Sequence, residues 1–137
     1  LGGTAVQITA GGWHTCALLD SGGIRCWGGG SVVGRPGDGA IACPSCAAHP
    51  DCCIGDDESP ASAGDIGLGE AAVAVEGGAT VTCAIFGSGA VRCWGANHWG
   101  QLGYPISPPG CAGCPTHPDC CIGDGEPVTS PGYVPIL

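Results

Sequence analysis

Two short stretches hold most of the side chains in this sequence that could do chemistry. Cys43-Pro44-Ser45-Cys46-Ala47-Ala48-His49-Pro50-Asp51-Cys52-Cys53-Ile54-Gly55-Asp56 returns as Cys111-Ala112-Gly113-Cys114-Pro115-Thr116-His117-Pro118-Asp119-Cys120-Cys121-Ile122-Gly123-Asp124, at a constant offset of 68 residues. In each copy a Cys-x-x-Cys is followed three residues on by a histidine and then by two adjacent cysteines. Thiolates and imidazole at this spacing suit a soft metal such as zinc, copper(I) or an iron–sulfur centre, with Cys43, Cys46, His49, Cys52, Cys53, Cys111, Cys114, His117, Cys120 and Cys121 as its ligands. The same cysteines suit disulfides that pin a loop with almost no hydrophobic side chains of its own, in any of several connectivities. Adjacent cysteines do not readily bond to each other without distorting the peptide between them, so Cys52 and Cys53 are expected to reach different partners, as are Cys120 and Cys121. Covalent haem requires a histidine directly after Cys-x-x-Cys, where this sequence has Ala47 and Pro115.

Carboxylates crowd the same stretches. Asp51, Asp56, Asp119 and Asp124, with Asp57, Glu58 and Glu126 beside them, are oxygen ligands for a hard cation, but their spacing is not that of a calcium loop. A solvated acidic loop is the expectation, with calcium less favoured than a soft metal. His49 and His117, each followed by proline, are loop residues unless a metal is present.

The remaining cysteines also repeat. Cys16 and Cys26 return as Cys83 and Cys93, each pair bracketing a short hairpin whose turn is Asp20-Ser21-Gly22 or Gly87-Ser88-Gly89. Cysteines facing each other on paired strands approach disulfide separation, so Cys16–Cys26 and Cys83–Cys93 bonds are predicted. Ser21 and Ser88 sit in those turns with no histidine and acid at a recognisable spacing, and no glycine-rich strand-to-helix phosphate loop occurs. The chain is therefore not expected to be an enzyme, nor to need a cofactor beyond the alternative of a metal in the cysteine modules.

Composition narrows the setting. The chain has 137 residues with 28 Gly, 12 Pro and 12 Cys, four Trp, two Tyr and one Phe, too few large side chains for a thick core. That cysteine density is characteristic of a secreted disulfide scaffold, which places the protein outside the reducing cytosol, extracellular or at a cell surface. Three basic residues, all arginine, against twelve acidic ones give a net charge of −9, which repels nucleic acid and anionic membrane. No apolar run reaches the ~20 residues needed to insert into a bilayer. Beginning at Leu1 without a charged leader, the sequence reads as a processed product.

The elements that must position the cysteines are strands. Residues 6–28 align with 73–95, so the sequence divides into repeat 1 at 1–68, with a strand-rich segment 6–39 and a cysteine module 43–58, and repeat 2 at 69–137, with a strand-rich segment 73–104 and a module 111–126. Val6 and Ile8 alternate with polar neighbours, Cys16 to Leu19 and Ile24 to Trp27 are β-favouring runs, and helical periodicity is absent. The fold class is all-β, two antiparallel repeats with disulfide-rich loop insertions. Trp27 and Trp94 recur in register and are expected in the packing. Trp13 and Trp99 have no counterparts in the other copy, so contacts peculiar to one copy are expected of them.

The pattern Gly-x-x-x-Thr-Cys-Ala, a Ser-Gly turn, then Val/Ile-Arg-Cys-Trp-Gly resembles the repeat of the regulator-of-chromosome-condensation family. Its most specific pieces are Cys93-Trp94-Gly95-Ala96-Asn97 and Gly100-Gln101-Leu102-Gly103, while the first copy departs from it with Gly34-Arg35-Pro36-Gly37. The resemblance implies a β-propeller, one four-stranded blade per repeat, with the cysteine modules as insertions at its rim. The founding member's action on a small GTPase is not expected here, because the repeat motif is scaffold.

Two repeats cannot close a propeller, which takes about four to eight blades. Tyr133 to Leu137 resembles Asp65 to Gly69, so one chain followed by another would nearly recreate the internal junction. The resulting expectation is a structural, secreted protein that assembles head to tail with itself as a homopolymer, an extracellular filament, with no small GTPase, nucleic acid or membrane partner. The alternative is a metal-binding or protein- or glycan-binding module of a larger β-propeller.

Overall fold

The computed structural model describes residues 1–29, 53–55, 59–62, 64–97, 99–104, 121–122, 129 and 131–136. Strands β1 (Ala5–Ala10), β2 (His14–Leu19), β3 (Ile24–Gly29) and β4 (Cys53–Ile54) form one antiparallel sheet in sequential order. Strands β5 (Ala72–Gly77), β6 (Val81–Phe86), β7 (Val91–Ala96) and β8 (Cys121–Ile122) form a second sheet with the same order. No helix occurs among the described residues.

The two sheets agree down to their irregularities. The first strand of each sheet carries a register shift near its start, between Ala5 and Gln7 and between Ala72 and Ala74, where one extra residue bends and twists the strand. Both hairpins turn on a glycine with positive φ, Gly22 at 81° and Gly89 at 84°, a conformation that side chains with a Cβ rarely adopt. At the far end of the hairpin Gly28 and Gly95 are required for a second reason. A Cβ at Gly28 would lie 2.5 Å from the Trp13 carbonyl oxygen, and one at Gly95 would lie 2.3 Å from that of Thr80.

Each sheet is closed off by the chain that follows it. The Ile66 N–H donates to Ile24 O at 2.7 Å, and the Val134 N–H donates to Val91 O at 2.8 Å, so residues 65–68 and 133–136 lie along equivalent strands. Arg25 donates to Asp65 Oδ1 at 2.6 Å and to the Leu1 carbonyl, while Arg92 donates to Gly132 O at 3.2 Å and to the Leu68 carbonyl. The Arg92 guanidinium also lies 4.3 Å from the Tyr133 ring centroid.

The core is one cluster spanning both sheets, and it lies largely between them. Leu18 and Ile24 from the first sheet and Val75, Ala84 and Trp94 from the second are buried together, with Ile66 and Leu68 of the connecting chain. β2 is buried on both faces from Cys16 to Leu19, which its continuous apolar run reflects. Trp94 is fully buried, and Trp27 packs against the same cluster.

Candidate functional site

Cys16 is joined to Cys26 and Cys83 to Cys93, with Cα atoms 4.1 Å apart in each case. Both bonds cross directly paired positions of a hairpin, Cys16 opposite Cys26 and Cys83 opposite Cys93. Of the module residues, Cys43, Cys46, His49, Asp51, Cys52, Asp56, Cys111, Cys114, His117, Asp119, Cys120 and Asp124 lie outside the described residues. Cys53 and Cys121 are placed by their backbone, as the first residues of β4 and β8, paired with Gly29 and Ala96. The end of each module thus supplies the outer strand of its own sheet. Among the described residues no group of three or more His, Cys, Asp or Glu is gathered that could hold a metal ion.

Strand order puts two loops and the ends of β3 and β7 at one end of the molecule. Gly11 to Trp13 joins β1 to β2, Gly78 to Thr80 joins β5 to β6, and the two meet where the Gly12 N–H donates to Ala79 O at 3.0 Å. The segments that lead to the cysteine modules leave from the same end, after Gly29 and after Ala96. Beyond Ala96 the chain forms a compact turn. Asn97 is buried and accepts a bond from the Leu102 N–H at 3.1 Å, Leu102 fills the core, and the Tyr104 hydroxyl accepts from Cys93 N–H at 3.2 Å. Burial raises the Tyr104 pKa, against the opposing effects of its bond from Cys93 and the charge of Arg92. On this scaffold Trp13 and Trp99 stand 76% and 89% exposed.

The junction between the sheets holds polar residues that sequence reading missed. The Gln7 carboxamide donates to Val75 O at 2.7 Å and accepts from Val75 N–H at 3.1 Å, completing the free edge of β5 as a neighbouring strand would. Two residues on, Thr9 Oγ1 accepts from Gly77 N–H at 2.9 Å. His14 Nε2 pairs with Thr82 Oγ1 at 2.8 Å, both residues being buried, and His14 Nδ1 has no partner. Burial holds the His14 imidazole below its ordinary pKa. The available signal was the difference between copies. Gln7 and His14 align with Ala74 and Val81, and a polar residue present in only one of two otherwise matched strands points to a contact made once.

At the opposite end a cleft of about 610 Å³ runs between the second hairpin turn and the C-terminal segment, lined by Glu70, Ser88, Tyr133 and Ile136 among others. The Tyr133 hydroxyl donates to Glu70, and this bond first, then partial burial and the Glu70 charge, raises the Tyr133 pKa, with Arg92 acting the other way. Among the described residues that line this cleft no nucleophile–base pair is formed.

The regulator of chromosome condensation (RCC1) repeat matches residues 5–32. No curated protein matches the chain in sequence. Among solved structures the chain is similar to yeast RCC1 (Prp20) in its complex with Kap60, with a TM-score of 0.57 and 14% identity over 98% of this chain and 25% of that one. Prp20p from Saccharomyces cerevisiae, whose structure was determined with its binding properties to Gsp1p and histones, gives 0.50 and 20% over 97% of this chain and 26% of that one. Human WBSCR16 gives 0.51 and 22% over 71% and 21%. The chain spans about a quarter of the length of these structures.

These likenesses correct the expectation about partners. A homopolymer with self as sole partner followed from two repeats that cannot close a propeller and from chain ends that resemble the internal junction, and the exclusion of a small GTPase followed from reading the repeat motif as scaffold alone. The matched structures have the same blades as a quarter of one longer chain, so uncovered faces do not require self-assembly. Proteins with this fold bind other proteins, Kap60 in one case and Gsp1p and histones in another, and the exclusion is withdrawn. The fold is that of propeller blades, one per sheet, and residues 5–32 match the regulator of chromosome condensation (RCC1) repeat, with a strand order and pairing that the second sheet reproduces.

Proposed function

We propose that this chain supplies two consecutive blades of a protein-binding β-propeller that works outside the reducing cytosol, and that its partner docks on the end carrying Trp13, Trp99 and the roots of the cysteine modules. The observation that carries the reading is the exposure of these two tryptophans on loops whose backbones are otherwise bonded in place. A large aromatic side chain held rigidly in solvent loses little freedom on docking and buries much apolar area, which is why tryptophan anchors so many interfaces. Loops at one end of a β scaffold are also where such folds place their contacts.

The extracytoplasmic setting rests on composition, twelve cysteines, no lysine and a net charge of −9. That charge favours a basic partner. The reading assigns the chain no catalytic step and leaves the module cysteines as disulfides, with a soft metal as the alternative. Titration with core histones at physiological salt, followed by tryptophan fluorescence, tests it. Saturable binding that Trp13→Ala with Trp99→Ala abolishes supports the reading. Binding that the double variant retains would be charge attraction alone, and no binding at all would remove this class of partner.

A further inference from the structure

The two blades differ in what they offer a neighbour, and the difference identifies the neighbour. In the first sheet Gln7 is paired with Leu18 and Thr9 with Cys16, so these side chains and His14 share the face turned toward the second sheet, here called trailing. The second sheet answers on its leading face and edge with Val75 N–H and C=O, Gly77 N–H and the Thr82 hydroxyl.

The first sheet has a leading face too. Ile8 is paired with Ala17 just as Val75 is with Ala84, which turns the N–H and C=O of Ile8 to the free edge of β1. Ala10 stands where Gly77 does and Thr15 where Thr82 does, so the acceptors and donors that meet the first sheet at β5 and β6 all recur at β1 and β2. No described residue bonds to these groups. The difference in burial lies at the edge strand: Val75 is 0% exposed and Ile8 65%, while Ala17 opposite Ile8 is buried as Ala84 is.

The trailing face of the second sheet does not match. Ala74 replaces Gln7 and Val81 replaces His14, so neither the carboxamide that completes a strand edge nor the imidazole that meets the threonine is present. Glu76 replaces Thr9 and keeps an acceptor. Ile85, aligned with the buried Leu18, is 41% exposed on this face.

We infer that the leading face of the first sheet is the docking surface for a further blade carrying a carboxamide, a hydrogen-bond acceptor two residues on and an imidazole seven residues on, and that a second copy of this chain is not that blade. The inference rests on the propeller reading, and its force is continuity with the junction already built between β1 and β5. A self-copy would leave Ile8 N–H, Ile8 C=O and the Thr15 hydroxyl without the partners their counterparts have, at a place where neighbouring apolar groups exclude water.

Gain of self-association tests it. The variant Ala74→Gln with Val81→His gives the second trailing face what the first has, and leaves Glu76 in place. In sedimentation velocity this variant assembles into closed species of about two to four copies, the four to eight blades of a propeller, at concentrations where the wild-type chain is monomeric. Adding Thr15→Val to it reduces the assembly. Wild-type protein that assembles as readily, or a double variant that keeps its circular dichroism and hairpin disulfides yet stays monomeric, overturns the inference. The underlying reading is tested apart from it by Gln7→Ala, which must weaken the internal junction. If that variant is as stable as wild type the blade-to-blade reading falls, whereas a weakened Gln7→Ala beside a monomeric double variant removes only the inference about the leading face.

Discussion

His14 Nε2 lies 2.8 Å from Thr82 Oγ1 across the boundary between the two sheets, and among the described residues no charged group bonds to either side chain. β2, β6 and β1 contain no other ionisable side chain apart from disulfide-bonded cysteine, and Arg25 on β3, Glu76 on β5 and Arg92 on β7 make no bond to the imidazole. A proton added to His14 would put a charge where Nδ1 already lacks a partner.

The folded imidazole, with its pKa pushed below 6.5 by burial, binds fewer protons than the unfolded one as pH falls from that value. Stability from this site is therefore full above about 6.5 and is lost on acidification through the window below it. Thermal melts between about pH 7.5 and 5 are expected to fall for the wild type and to stay flatter for His14→Gln. Parallel pH profiles for the two proteins would exclude the histidine as the cause.

Gln7→Ala removes both bonds to the Val75 backbone and leaves the edge of β5 uncompleted. Urea unfolding is expected to show a loss of about 1–3 kcal/mol with little change in slope. Gln7→Glu should recover less than half of it, because a carboxylate can accept from Val75 N–H but cannot donate to Val75 O.

Gly95→Ala combines two faults, a φ of 108° and a Cβ 2.3 Å from a backbone oxygen. The loss is expected at about 2–4 kcal/mol, above that of Gly89→Ala, where φ is 84° but nothing lies within 4 Å of the new atom. Equal melting temperatures for the two variants would show that the close approach does not matter.

Each hairpin disulfide spans 10 residues of sequence. Cys16→Ala with Cys26→Ala is expected to lose about 2–4 kcal/mol and to lower the melting temperature in oxidising buffer. Reductant should lower the wild-type melt by at least as much, and an unchanged melt would show that the bonds are not needed for the fold.

For the modules the count of free thiols decides between disulfides and metal. Alkylation of the native protein without reduction, read by intact mass, is expected to label none of the twelve cysteines. Labelling of several, with metal seen in the native mass, would replace the disulfide reading of Cys43 to Cys53 and Cys111 to Cys121 by a metal centre.

What could be read ahead of the structure was whatever repeated. Cys16–Cys26 and Cys83–Cys93 stood out because two cysteines bracket the same Ser-Gly turn twice, and local geometry then leaves little choice of partner. β4 and β8 escaped notice, since Cys53–Ile54 and Cys121–Ile122 are two-residue strands flanked by glycine, too short for any periodicity to register. Gln7 and His14 were passed over for the opposite reason. Each is a polar residue that the other repeat does not share, and its meaning depends on a β5 or β6 atom some 68 positions away. The error over partners had the same root, because chain ends that look alike say nothing about whether the faces beside them fit.

Gly29 sits directly opposite Cys53, so the chain that leaves the first sheet after β3 comes back to the spot it left. Ala96 and Cys121 repeat the arrangement. An excursion anchored this way is paid out and taken up at one doorway, and doubling its length adds only about 0.6 kcal/mol to the cost of closing it. The pairing of β3 with β4 and of β7 with β8 therefore depends little on the length of chain between those two points. For protein engineering this makes 30–52 and, beyond the packed turn at 97–104, residues 105–120 candidate cassettes: foreign loops, epitopes or tags could be exchanged there while the strands on either side go on pairing as before.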